Sequence, residues 1–142
     1  IKKMIDLSEV QNPRDNVTAG IKTDQPDEKL DVPEGAMVYE IEGPMFFGTV
    51  RKFELAAERA QTSCKVLILR MRNTIYLDAG GIRALEQAKA AFDRKHITIV
   101  ISGIHSQPYL LLEKTGMADK LGRENIFDNI NAALERAREL VK

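Results

Sequence analysis

KVLILRMRNTIYLDAGGIRAL, residues 65–85, changes periodicity within a few positions. VLIL at 66–69 is an unbroken run of Leu and β-branched side chains, the form of a strand buried on both faces. From Ile82 onward, Ile82, Leu85, Ala88 and Phe92 recur at helical spacing, the stripe of an amphipathic helix that ends in the basic residues Arg94-Lys95-His96. Between the two stand Asp78, able to cap the helix, and Gly80-Gly81, which allow a tight turn.

Outward from this unit the same alternation continues. ITIVI at 97–101 is a second buried strand, closed by Ser102-Gly103. A helix begins with Ser106 as N-cap, carries Pro108 in its first turn and ends at Gly116. NIF at 125–127 reads as a short last strand, and Ile130, Leu134, Ala137 and Val141 mark a terminal helix. Upstream, AMVYEIE at 36–42 alternates Met37, Tyr39 and Ile41 with Val38, Glu40 and Glu42, a strand with one wetter face suited to a sheet edge. Gly43-Pro44 stops it, and Val50, Phe53, Ala57 and Ala60 give a helix. Strands alternating with helices predict right-handed crossovers: an α/β fold with a mostly parallel central sheet of four to five strands, an edge N-terminal strand and about four flanking helices.

Residues 1–36 differ, with eight acidic and five basic side chains, Pro13, Pro26 and Pro33, and little periodicity. This is linker composition. Its first ten residues, IKKMIDLSEV, read either as a short juxtamembrane helix or as a frayed terminus. The predicted division is therefore 1–36 as juxtamembrane segment and acidic linker, and 37–142 as the folded domain.

The 142 residues are 44% apolar and 30% charged, enough for one core. Lys plus Arg and Asp plus Glu both total 21, so charge gives no reason to expect nucleic acid. No apolar run nears the roughly 20 residues that span a bilayer. Cys64 is the sole cysteine, which excludes an internal disulfide and points to a cytosolic chain; it reads as an inert thiol. His96 and His105 stand at opposite ends of a strand segment and predict no metal pair. No order of Ser, His, Asp or Cys supports a hydrolase.

Parallel sheets work at the carboxyl ends of their strands, which makes the loop after VLILRM the predicted site. Asp78, Ala79, Gly80 and Gly81 either form a plain helix cap or leave backbone N–H groups open to an anion. Arg70 and Arg72 share one side of the chain near Arg83. They either pair with Asp78 or Glu86, or form a basic rim for an acidic protein or a nucleotide phosphate. Met45, Phe46 and Phe47 in EGPMFFG either cover the sheet or form a docking patch.

GPMFFGTVRKFE, VLILRMRNTIYLDAGGIRALEQ and GIHSQPYLLLEKTG, in this order and spacing, resemble the STAS domain of SulP-type anion transporters over about residues 37–142. IKKMIDLSEV is similar to the segment joining the last membrane helix to that domain. The resemblance implies a non-catalytic, cofactor-free regulatory and assembly domain on the cytoplasmic face of the plasma membrane, with possible nucleotide or anion sensing. It implies as partners the membrane domain of the same chain, a second copy, or an acidic soluble protein. The same superfamily holds free-standing anti-sigma factor antagonists, the alternative reading, whose motif resembles Asp-Ser-Ser-Gly-Leu. Here Ala79 and Gly80 follow Asp78, and neither has a hydroxyl to phosphorylate.

Overall fold

A computed structural model describes residues 30–41 and 64–142, together with the backbone of Lys3–Met4. The expected helix over 50–60 and the Met45-Phe46-Phe47 cluster lie outside the described residues. Strands β1 (Lys3–Met4), β2 (Ala36–Glu40), β3 (Val66–Arg70) and β4 (Thr98–Ser102) form one parallel sheet in chain order. The helices are α1 (Ala79–Arg94), α2 (Ser106–Lys114), α3 (Met117–Leu121) and α4 (Ile130–Leu140), with a 3₁₀ turn at Arg123–Asn125.

Alternation along the strands divides the core in two. Met37, Tyr39, Leu67, Leu69, Ile99 and Ile101 pack with Ile82, Leu85 and Phe92 of α1 and with Leu112 and Met117 beyond it. Ala36, Val38, Val66, Ile68 and Val100 instead meet Ile130, Ala133, Leu134 and Ala137 of α4. A sheet with a helix layer on each face is the arrangement that the apolar runs predicted, because a strand buried on both sides leaves no polar face.

Three expectations change. The strand at 36–40 is interior rather than an edge, since β1 pairs with it through Lys3↔Met37 and Met4↔Val38. All five of its residues are buried, so the wetter face anticipated from Glu40 does not exist. Lys3–Met4 is a strand and not part of a helix. NIF contributes only an isolated parallel bridge, Ile126 to Ile101.

The helix ends follow local chemistry. Lys95 caps α1 and His96 takes the left-handed conformation at φ 60. His96 N–H then bonds the Asp93 carbonyl at 2.9 Å and Ile97 N–H the Phe92 carbonyl at 2.9 Å, the paired bonds of a Schellman ending with Ile97 and Phe92 both in the core. Helix α2 starts one residue earlier than the Ser106 cap implied, with His105 as N-cap and no side-chain capping bond.

Candidate functional site

The carboxyl ends of β3 and β4 carry two loops, residues 71–78 and 103–105, and these are tied together. Gly103 makes the close approach possible: its φ is +69, and a Cβ there would lie 3.0 Å from the Cβ of Arg72. His105 Nε2 then lies 2.5 Å from the Arg72 carbonyl oxygen. In the first turn of α2, Gln107 meets Leu77 twice, accepting from its backbone N–H at 2.8 Å and donating to its carbonyl at 3.0 Å. Leu77 is fully buried, so its backbone needs these partners. Gln107 was not singled out by the sequence; its place two residues after His105 in GIHSQPY is the only signal.

Asp78 caps α1. Its backbone is extended and its carboxylate accepts from Gly81 N–H at 2.8 Å. Gly80 and Gly81 lie in the first helical turn, and neither has positive φ, so they supply no separate tight turn. Gly81 is buried, while Asp78 and Ala79 are exposed. The four residues thus share one helix start, with one N–H and the local positive potential already answered by the Asp78 carboxylate.

Arg70 and Arg72 do share one side, as alternation requires. Arg70 is 1% exposed and has the parity of Ile68 and Val66, whose side of the sheet is covered by α4, whereas α1, bearing Asp78 at its start and Arg83, covers the other side. Across the sheet Arg70 is in register with Glu40 and Ser102, forming a buried polar row at the carboxyl edge. Arg72 reaches back to Glu40. Its Nη2 donates to Oε1 at 2.8 Å, its Nε lies 3.1 and 3.2 Å from the two oxygens, and Asn73 Nδ2 adds a bond at 2.9 Å. The Arg72 and Glu40 side chains are 7% and 5% exposed, so this ion pair is internal and its carboxylate is Glu40, not Asp78 or Glu86. Of the three arginines, Arg83 alone is exposed.

The edge instead presents Ile75 and Tyr76, 71% and 56% exposed. Cys64 is buried, with Sγ 3.7 Å from the Val66 carbonyl. Below α2, Arg123 bridges Glu113 and Asp119. Hydrogen bonds from Tyr109 and then Arg123 hold the Glu113 carboxyl below its ordinary pKa. The bond to Glu113 chiefly raises the Tyr109 phenol, and bonds to Glu113 and Asp119 raise the Arg123 guanidinium.

Similar proteins share this architecture. A crystal structure of a sulfate transporter family protein from Wolinella succinogenes has a TM-score of 0.76 and 36% identity, covering 83% of this chain and 98% of that one. The SulP transporter STAS domain from Vibrio cholerae has a TM-score of 0.69 and 31% identity, covering 77% and 85%. A Bacillus subtilis (strain 168) protein named as a sulfate transporter, YvdB, is 37% identical over 93 residues, 65% of this chain. The chain spans 18% of that relative's length. The family described as STAS domain matches residues 29–133, which include the whole β2-to-β4 sheet, the Asp78 helix start and the Gln107 tie. By that match and by the parallel sheet with helices on both faces, the chain belongs to the STAS domain family.

Proposed function

We propose that this chain is the cytoplasmic regulatory and assembly domain of a secondary transporter of sulfate-like anions, acting through protein contacts and catalysing nothing itself. The observation that carries the reading is one of scale: a domain-sized chain is similar to a small part of a much longer protein named for sulfate transport. In this reading residues 37–142 are the working domain, and residues 1–36 lead from the membrane part while adding Lys3–Met4 and Ala36 to its sheet.

The polar groups at the carboxyl edge support binding over chemistry. Asp78 is occupied as a cap, Gln107 and His105 bond backbone, and Arg72 is paired inside. A carboxylate seated at the start of α1 disfavours an anion or nucleotide phosphate there. What remains outward is Ile75, Tyr76 and Arg83, a surface suited to the membrane part, a second copy of the domain, or a soluble acidic protein. The anti-sigma factor antagonist reading is weakened by Ala79 and Gly80, which offer no hydroxyl.

The reading frame around this chain and sulfate uptake by its full product provide the test. Several membrane spans upstream, and uptake that falls when residues 37–142 are deleted or when Ile75 and Tyr76 are replaced by Ser, are expected. A short leader with no spans would overturn the transporter reading. Unchanged uptake in the Ile75/Tyr76 variant would remove that surface from it.

A further inference from the structure

Phe127 is a wall common to two surface grooves. The first, about 310 Å³, runs from the loop after β4 to the start of α2, between the apolar side chains of Ile104, Tyr109, Ile126 and Phe127, with Asp128 at its margin. The second, about 380 Å³, continues from Phe127 along α4 past Ala132. Phe127 is well held: its N–H donates to the Ile101 carbonyl at 2.9 Å, which hangs the segment on the side of β4 away from β3. The wall therefore exists before anything binds, and a preformed wall lowers the entropic cost of binding.

The polar margin has one sign. Glu124, Asp128, Glu135 and Glu139 line the two grooves against one fixed cation, Arg136. Four carboxylates minus one guanidinium leave three negative charges with His105 neutral, on a chain whose total is zero. Internal pairing takes up Glu135 and Glu139 and leaves Glu124 and Asp128. Arg136 is engaged by Asn125 at 2.8 Å and Glu139 at 3.2 Å, and Glu135 by Arg138 at 2.8 Å. Asp128 accepts a hydrogen bond from the Asn129 side-chain amide at 2.8 Å, and neither it nor Glu124 forms an ion pair among the described residues.

We infer that this double groove docks a basic amphipathic peptide segment of a partner protein. Apolar residues at helical spacing would cover Phe127 and its neighbours, and Lys or Arg would face Glu124 and Asp128. A wholly apolar segment would bury those carboxylates without partners, and an acidic one would be repelled. Neither groove is lined by Ile75, Tyr76 or the start of α1, so the proposal does not rest on the transporter reading.

The test is an NMR titration of the whole chain with a synthetic helical peptide of about 14 residues, roughly four turns, built from Leu and Lys, and with a control carrying Glu for Lys. Saturable shifts are expected at the amides of Ile104, Ile126, Phe127 and Ala132. Binding should weaken about tenfold in the Glu124→Lys/Asp128→Lys variant and fall with added salt, as charge attraction does. Shifts elsewhere, no shifts, equal binding of the control, or undiminished binding by the double variant would each overturn the proposal. Asp128 lies beside the start of α4, where a Lys opposes the helix dipole. If the double variant does not fold, Glu124→Gln replaces it, with about threefold weaker binding expected and unchanged binding counting against the site.

Discussion

Gln107 in the first turn of α2 satisfies both backbone groups of Leu77, 30 positions earlier, with the two ends of one carboxamide. The contact has the geometry of a strand pair made by a side chain, and it fixes the residue immediately before the Asp78 cap. Gln107→Ala should cost about 1–3 kcal/mol, because a buried donor and a buried acceptor lose their partners together. Gln107→Glu should cost as much, since a carboxylate accepts from the N–H but faces the carbonyl with no donor. Chemical denaturation gives the loss, and faster exchange of the Leu77 amide locates it. A loss under about 0.5 kcal/mol in both variants would mean that water replaces the amide.

Arg72→Ala removes the bidentate partner of a carboxylate that is 5% exposed. Breaking such a pair costs on the order of 3 kcal/mol, so the melting temperature should drop sharply. Arg83→Ala, at an exposed position, should leave the melt nearly unchanged. The reverse ranking would place Arg72 at the surface.

His96 occupies a left-handed backbone conformation that costs an L-residue about 1–2 kcal/mol. Glycine relieves that strain but orders a freer chain on folding, which costs about 0.5–1 kcal/mol. His96→Gly should therefore stabilise by about 0.5 kcal/mol, whereas His96→Val should destabilise by more than about 1 kcal/mol, since a β-branched residue tolerates positive φ poorly. Equal stabilities in equilibrium unfolding would show that the Schellman ending does not constrain this residue.

Glu113 has a folded-state pKa below its ordinary value, so its contribution to stability is present above the ordinary carboxylate range of about 4.3 and is lost as pH falls through the lowered folded value. The difference in melting temperature between the native chain and Glu113→Gln should be largest near neutrality and vanish in acid. Tyr109 behaves oppositely: its raised pKa gives stability that is full below about 10 and is lost as pH rises. Ultraviolet titration of Glu113→Gln should show the Tyr109 phenol ionising closer to its ordinary value. A pH-independent difference would show that the Tyr109 and Arg123 bonds do not hold in solution.

Incubation with an anti-sigma factor kinase and ATP should leave the tryptic peptide 73–83 unmodified. Ala79 and Gly80 lack hydroxyls, and Thr74 is completely buried. Mass spectrometry of that peptide is the measurement, and a phosphate on Thr74 or on the exposed Tyr76 would mean that the switch has moved and that the domain is phosphorylated after all.

Periodicity carried the fold where burial is uniform. VLIL, TIVI and the Ile82-Leu85-Ala88-Phe92 stripe were readable because residues buried on both faces, or on one stripe, can be little else. Glu40 misled for the same reason: a charge in a strand reads as a wet face, and its partner Arg72 is 32 positions away in a different strand's continuation. The cap at Asp78 is local and was legible. The Gln107 tie, the side of the sheet to which Arg70 belongs and the acidic margin around Phe127 depend on register between distant segments, which no single window contains. Helix α3 is five residues long, too short for a helical period to declare itself.

The tie between Gln107 and Leu77 also has a place in time. It spans a crossover, so α1 must already lie on the sheet and β4 must already be paired with β3 before the carboxamide can reach its target. Contacts that await such a closure form on the native side of the rate-limiting barrier. Loss of Gln107 should then shorten the lifetime of the folded domain while leaving the speed at which it folds almost untouched. In kinetic terms the residue is a latch, set last and released first.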